Sequence, residues 1–148
     1  MLKGFEDYTG DLTDYEKSLL PLFVKSMKLR RGEKMAIKGA QIVADLQARD
    51  AVDGTKRFEK LTVHRAKRIL SYMRVNDMVP GLMANQKGYF VTTTLEELEV
   101  YIDSLTGRIN AINLLLNTAR NNYIGMGGDP AYGQCVDIGH SDIFSSLS

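Results

Sequence analysis

The residues of this chain best equipped for chemistry are basic and closely spaced. His64, Arg65, Lys67, Arg68 and Ser71 fall within one short stretch, with Lys56, Arg57 and Lys60 just before it and Lys87 beyond. Guanidinium and ammonium groups at this density bind anions, and on a helix face they reach both phosphates and the acceptor edge of guanine. Residues 25–74 hold fourteen Lys/Arg against five Asp/Glu, a net of +9, whereas residues 1–24 and 75–148 carry −3 and −5. The overall +1 is a cancellation between segments. A +9 block has the electrostatic footprint of a phosphate-backbone binder, and a solvated basic face without a partner is the plain alternative.

No other chemistry is as well supported. The chain has no Walker A loop, no Gly-x-Ser-x-Gly and no His-Glu-x-x-His, so no enzyme, catalytic residue or cofactor is expected. Cys135, Asp137, His140 and Asp142 lie close together, but one Cys and one His fall short of a structural zinc set, and no metal is expected. A single Cys in 148 residues excludes a disulfide framework. With 44% hydrophobic and 25% charged residues the composition is ordinary for a folded domain. No apolar run is long enough to cross a membrane, and MLKGFEDYTG lacks the apolar core of a signal peptide, so the expectation is a soluble cytoplasmic protein with no membrane partner.

The elements that must position these groups follow from periodicity and caps. Thr13 and Glu16 form a capping box ahead of Leu19, Leu20, Phe23, Val24 and Met27, which repeat at helical spacing. Pro21 should kink this helix or move its start to just before itself. A second helix is expected at about 38–49 with Ala40, Ile42, Val43 and Leu46 inward, then a polar loop from Asp50 to Lys60. Thr62 caps a third helix to about Met78, its buried stripe Ala66, Ile69, Leu70 and Met73. Two short apolar runs around Asn85-Gln86-Lys87-Gly88 predict a β-hairpin. Thr94 with Glu97 opens the longest helix, on which Leu98, Ile102, Leu105, Ile109, Ile112 and Leu116 make a heptad stripe.

Three helices, a hairpin and a further helix is the order of a winged helix-turn-helix fold: mostly α, three helices plus a β-hairpin wing, followed by a long C-terminal helix. In such folds the third helix enters the major groove and the wing touches the adjacent backbone. Arg65, Lys67 and Arg68 near the start of helix three, and Lys87 at the hairpin tip, suit that arrangement. The expected organisation is a winged-helix domain over 1–93, a long helix for packing and dimerisation over 94–120, and a Gly-rich tail over 121–148 lying outside the fold.

Residues 61–91, LTVHRAKRILSYMRVNDMVPGLMANQKGYFV, resemble winged-helix proteins of bacteriophages, prophages and mobile elements. Met73-Arg74 stands for the family's Leu-Arg, Val79-Pro80 for its link, and Gly88-Tyr89-Phe90 for its hairpin end. TTLEELEVYIDSLTGRINAI at 93–112 resembles its acidic-capped helix. Val63 and Asp77 depart from positions where the family often has a small residue or Gly. The resemblance implies a role in phage-type or mobile-element DNA transactions, in transcription regulation or in replication.

The expected DNA-binding residues are therefore His64, Arg65, Lys67, Arg68, Ser71, Lys56, Arg57, Lys60 and Lys87, with double-stranded DNA as partner. Arg74 serves the helix dipole, pairs with Asp77 or reaches DNA, while Tyr89 and Phe90 pack beneath the hairpin. The heptad stripe covers helix one or forms a homodimer seam; the homodimer is the favoured expectation. The apolar residues of the tail suggest a protein partner there. The rival to DNA binding is a protein-interaction module, since a winged helix does not fix function.

Overall fold

Thr13 starts the first helix as the sequence requires. In the computed structural model, which describes residues 11–133, its hydroxyl accepts from Glu16 N at 3.2 Å, and its own N–H donates to Glu16 Oε1 at 2.9 Å. Helix α1 (Asp14–Lys28) runs through Pro21, which therefore does not set its start. Pro21 is exposed, so the carbonyl of Lys17 that it leaves without an N–H partner can be hydrated. The opposite face buries Glu16, Leu19, Phe23 and Met27.

A short 3-10 turn (Glu33–Met35) leads to helix α2 (Gly39–Asp53), longer than expected. The segment starting at Asp50 is not simply a polar loop: Asp50 is buried in the last turn of α2 and Gly54 caps the helix in the left-handed region at φ 68°. Phe58, on the connection, is 4% exposed and belongs to the core. Thr62 caps helix α3 (Val63–Val75), its hydroxyl accepting from Arg65 N at 3.2 Å. Helix α3 buries Ala66, Ile69, Leu70 and Met73 as its stripe. It ends before Met78 because Asp77 takes a positive φ of 50°, with Met78 N donating to Met73 O and Asp77 N to Arg74 O. Those two bonds make a Schellman stop with Asp77 in the position that favours glycine.

Strands β1 (Leu82–Asn85) and β2 (Gly88–Val91) form an antiparallel pair with Asn85 opposite Gly88, so the turn is the two residues Gln86-Lys87. The other edge of β2 is also used: Tyr89 exchanges backbone bonds with Ile37 (2.8 and 3.1 Å), Val91 N donates to Arg30 O and Gly32 N to Val91 O. The chain between α1 and α2 thus flanks β2 through isolated bridges. Gly88 is buried there; a Cβ on it would stand 2.4 Å from the carbonyl of Ile37. Helix α1 packs on α3 and β2, and α2 packs on α3, around one core that includes Phe23, Leu61, Ile69 and Val91.

Helix α4 (Leu95–Gly125) begins as expected, with Glu97 N donating to Thr94 Oγ1 at 3.1 Å. It continues past residue 120 and closes with a second Schellman stop, Gly128 N to Tyr123 O and Gly127 N to Ile124 O, Gly127 at φ 98°. The first part of the supposed tail is therefore ordered helix and cap; residues 134–148, with Cys135, Asp137, His140 and Asp142, lie outside the described residues. The chain divides into two units, one ending at Tyr101 and one starting at Ile102, within α4. No residue of α4 is buried. Among the described residues the architecture is mostly helical, with four helices and one two-stranded antiparallel sheet. No helix among the described residues is long and apolar enough to cross a membrane.

Candidate nucleic-acid interface

The basic residues expected to act together separate into three groups, with Lys87 apart from all of them at the hairpin turn. The first is structural. Arg68 donates through Nε to Glu16 Oε2 at 3.2 Å and through Nη2 to Asp11 O at 2.8 Å, and Glu16 is 1% exposed. Burial alone would raise the Glu16 pKa; the bonds from Thr13 and Arg68 outweigh it, and the carboxyl sits below its ordinary value. Arg68 is thus the counter-ion of a buried carboxylate rather than an outward-facing cation. Ser71, expected on the outer face, is buried and accepts from Arg74 Nη2. Helical position alone put both outside, but the neighbours of α3 cover that side.

Arg74 follows the same pattern. Its Nη1 donates to the Tyr101 hydroxyl at 3.1 Å, and its guanidinium lies 5.7 Å from the centroid of the Tyr89 ring. It ties α3 to β2 and to the first turns of α4. Phe90 is fully buried and Tyr89 half-buried, as packing residues beneath the hairpin.

The second group lies on the connection between α2 and α3. Lys56, Arg57 and Lys60 are exposed, and the backbone that carries them is held from below. Asp50 accepts from the Thr55 hydroxyl and from Phe58 N, each at 2.7 Å, while Gln47 Nε2 donates to Leu61 O at 3.2 Å. Burial would raise the Asp50 pKa, but these donors and the nearby Arg57 charge bring it below the ordinary value. The Arg57 guanidinium sits 5.3 Å from the Phe58 ring centroid and its carbonyl accepts from the Tyr15 hydroxyl. This connection is anchored, with its cations on the outside.

The third group surrounds the N-termini of α2 and α3. Lys67 and His64 are exposed; Arg65 is half-buried, its guanidinium 5.5 Å from the Tyr15 ring centroid. Burial raises the Tyr15 hydroxyl pKa, against the opposing charge of Arg65. The stem of Lys67 passes over Gly39, where an added Cβ would meet its Cγ at 3.6 Å. Gly39 opens α2, and the N-cap residue is Lys38, which makes no side-chain capping bond. Two exposed ammonium groups, Lys38 and Lys67, therefore flank an uncapped helix N-terminus, where unpaired N–H groups and the helix dipole favour an anion. Neither lysine enters an ion pair among the described residues. Sequence reasoning missed Lys38; the signal was a Lys-Gly helix start without Ser, Thr, Asp or Asn to cap it.

Lys87 occupies the hairpin turn, 69% exposed at its side chain, with Nζ 2.7 Å from Glu33 Oε1. That hydrogen bond and charge raise its pKa. It remains accessible, but with its charge already partnered. No group of three or more His, Cys, Asp and Glu side chains among the described residues is arranged to hold a metal ion. No family model, no curated protein and no solved structure matches the chain.

Proposed function

We propose that this chain is a winged-helix double-stranded DNA-binding protein of phage or mobile-element type, acting in transcription regulation or replication. The first half of α3 lies in the major groove, presenting His64, Arg65 and Lys67. The β1–β2 hairpin is the wing and sets Lys87 beside the flanking backbone. The N-terminus of α2, with Lys38 and Lys67, grips a phosphate, and Lys56, Arg57 and Lys60 contact the backbone on the other side of α3. Two features support the fold reading: the order of three helices and a hairpin, and the bridging of β2 by the chain between α1 and α2. Arg68 and Ser71 hold the helix in place rather than read DNA.

The observation that carries the proposal is the pair of exposed lysines at the uncapped start of α2, beside the exposed first turn of α3. Each neutralised phosphate releases counter-ion, so log K against log salt should fall with a slope of about −0.9 per contact. Fluorescence-anisotropy titration of random-sequence duplex DNA from low to moderate salt measures it. Binding that is absent at low salt, or flat with salt, overturns the reading. The Lys38→Glu/Lys67→Glu double variant separates it from a protein-interaction module: DNA retention should be lost with the fold intact.

A further inference from the structure

Helix α4 carries its apolar stripe uncovered: Ile102, Leu105, Ile109 and Ile112 are 52, 38, 58 and 44% exposed. The stripe alternates spacings of four and three, the repeat of a two-helix seam, and is continued by Ala119 and Tyr123. Charge along the helix is asymmetric. Glu96, Glu97, Glu99 and Asp103 occupy its first third with no base, and Arg108 and Arg120 follow with no acid. A parallel copy would stack four carboxylates on four carboxylates and align the two helix dipoles, whereas an antiparallel copy sets acids against arginines.

We infer that a second copy of this chain covers α4 as an antiparallel two-helix seam, in the register that faces Glu99 with the second copy's Arg120. In that register Leu105 meets the second copy's Leu116, Ile109 meets Ile112, and Ile102 meets Ala119, each seam position against its complement as antiparallel packing requires. Arg108 then lies beside the second copy's Leu115, where its aliphatic stem covers apolar surface. Shifting the register back one heptad would bring Arg108 face to face with its own copy across the dyad, so charge selects between the two. From Leu98 to Tyr123 the seam is roughly 39 Å long at 1.5 Å per residue. The inference rests on α4 alone and stands whether or not the chain binds DNA.

The experiment uses the full chain with Cys135→Ser, so that introduced thiols are the only ones. Sedimentation equilibrium should give twice the 16.5 kDa chain mass, and a monomer at about 100 micromolar overturns the proposal. Leu105→Cys and Leu116→Cys chains, oxidised separately, should stay uncrosslinked and, mixed, should form a disulfide dimer. Crosslinking of each chain on its own means a parallel seam, which overturns it. Glu99→Arg and Arg120→Glu should each weaken dimerisation about fivefold, two equivalent ion pairs being lost, and the double variant should restore it. Failure of the double variant to recover overturns the register.

Discussion

The unit ending at Tyr101 and the helix beyond it use apolar residues in opposite ways. In the first, Phe23, Phe90, Ile69 and Leu70 are at most 2% exposed, and even a carboxylate, Glu16, is sealed in with its capping partner and its arginine. In the second, an equally apolar stripe buries nothing. Helices α1 and α4 both start for local reasons, α1 with a full Thr13–Glu16 capping box and α4 with Thr94 accepting from Glu97 N. The lesson is that caps and periodicity make a helix, while stability comes from what the helix is pressed against.

The contrast can be tested by substitution, and the largest effect belongs to the first unit. Phe90→Ala should cost about 3–5 kcal/mol of unfolding free energy, the usual loss for a buried Phe, read by urea denaturation. Next, Gly88→Ala should destabilise by about 2 kcal/mol, since φ +123° and a contact 2.4 Å from Ile37 C and O both oppose a Cβ there. The same measurement reads it. A loss within error for either variant breaks the account of the core.

Acid titration comes third. Glu16 and Asp50 both have pKa values lowered by folding, from ordinary values of 4.5 and 3.8. A lowered folded pKa means stability present above the unfolded value and lost as pH falls through the folded one, so the unfolding free energy should start to fall below about pH 4.5. Glu16→Gln should flatten the upper part of that loss. An unchanged pH profile in this variant means the Glu16–Arg68 pair contributes nothing to it.

How far the sequence disclosed these differences depends on the range of the interaction. The Thr13–Glu16 capping box, the Thr94 cap of α4, the hairpin, the α3 stripe and the exposed cations of the α2–α3 connection are written within a few residues; at Thr94 only half of the expected box forms, because Thr94 N donates to Thr92 Oγ1 instead of to Glu97. Arg68 was misjudged because its partner lies 52 positions away, and Ser71 because its cover comes from other elements. Asp50 and Phe58 were hidden for a related reason: a polar stretch gives no sign that one carboxylate turns inward to bind its own loop. The candidate interface was half legible, its charge evident and its α2 anchor missed.

Smaller effects sharpen the comparison. Asp77→Gly should stabilise the first unit by up to about 1 kcal/mol, because the Schellman position at φ 50° costs any residue with a Cβ. Ile109→Ala should leave the unfolding free energy of the first unit within about 0.5 kcal/mol, as expected of an exposed site outside its core. A larger loss would mean that the stripe supports that unit after all.

Strand β2 also says something about time. Its pairing with β1 closes a two-residue loop, an event local enough to occur early, whereas the bonds from Tyr89 N to Ile37 O and from Val91 N to Arg30 O close loops of more than fifty residues. One strand therefore carries both the nearest and some of the most distant contacts of the unit on its two edges. During refolding, amide protection at Tyr89 and Val91 should lag behind that of Phe90, whose N–H faces β1 by the alternation of an antiparallel strand.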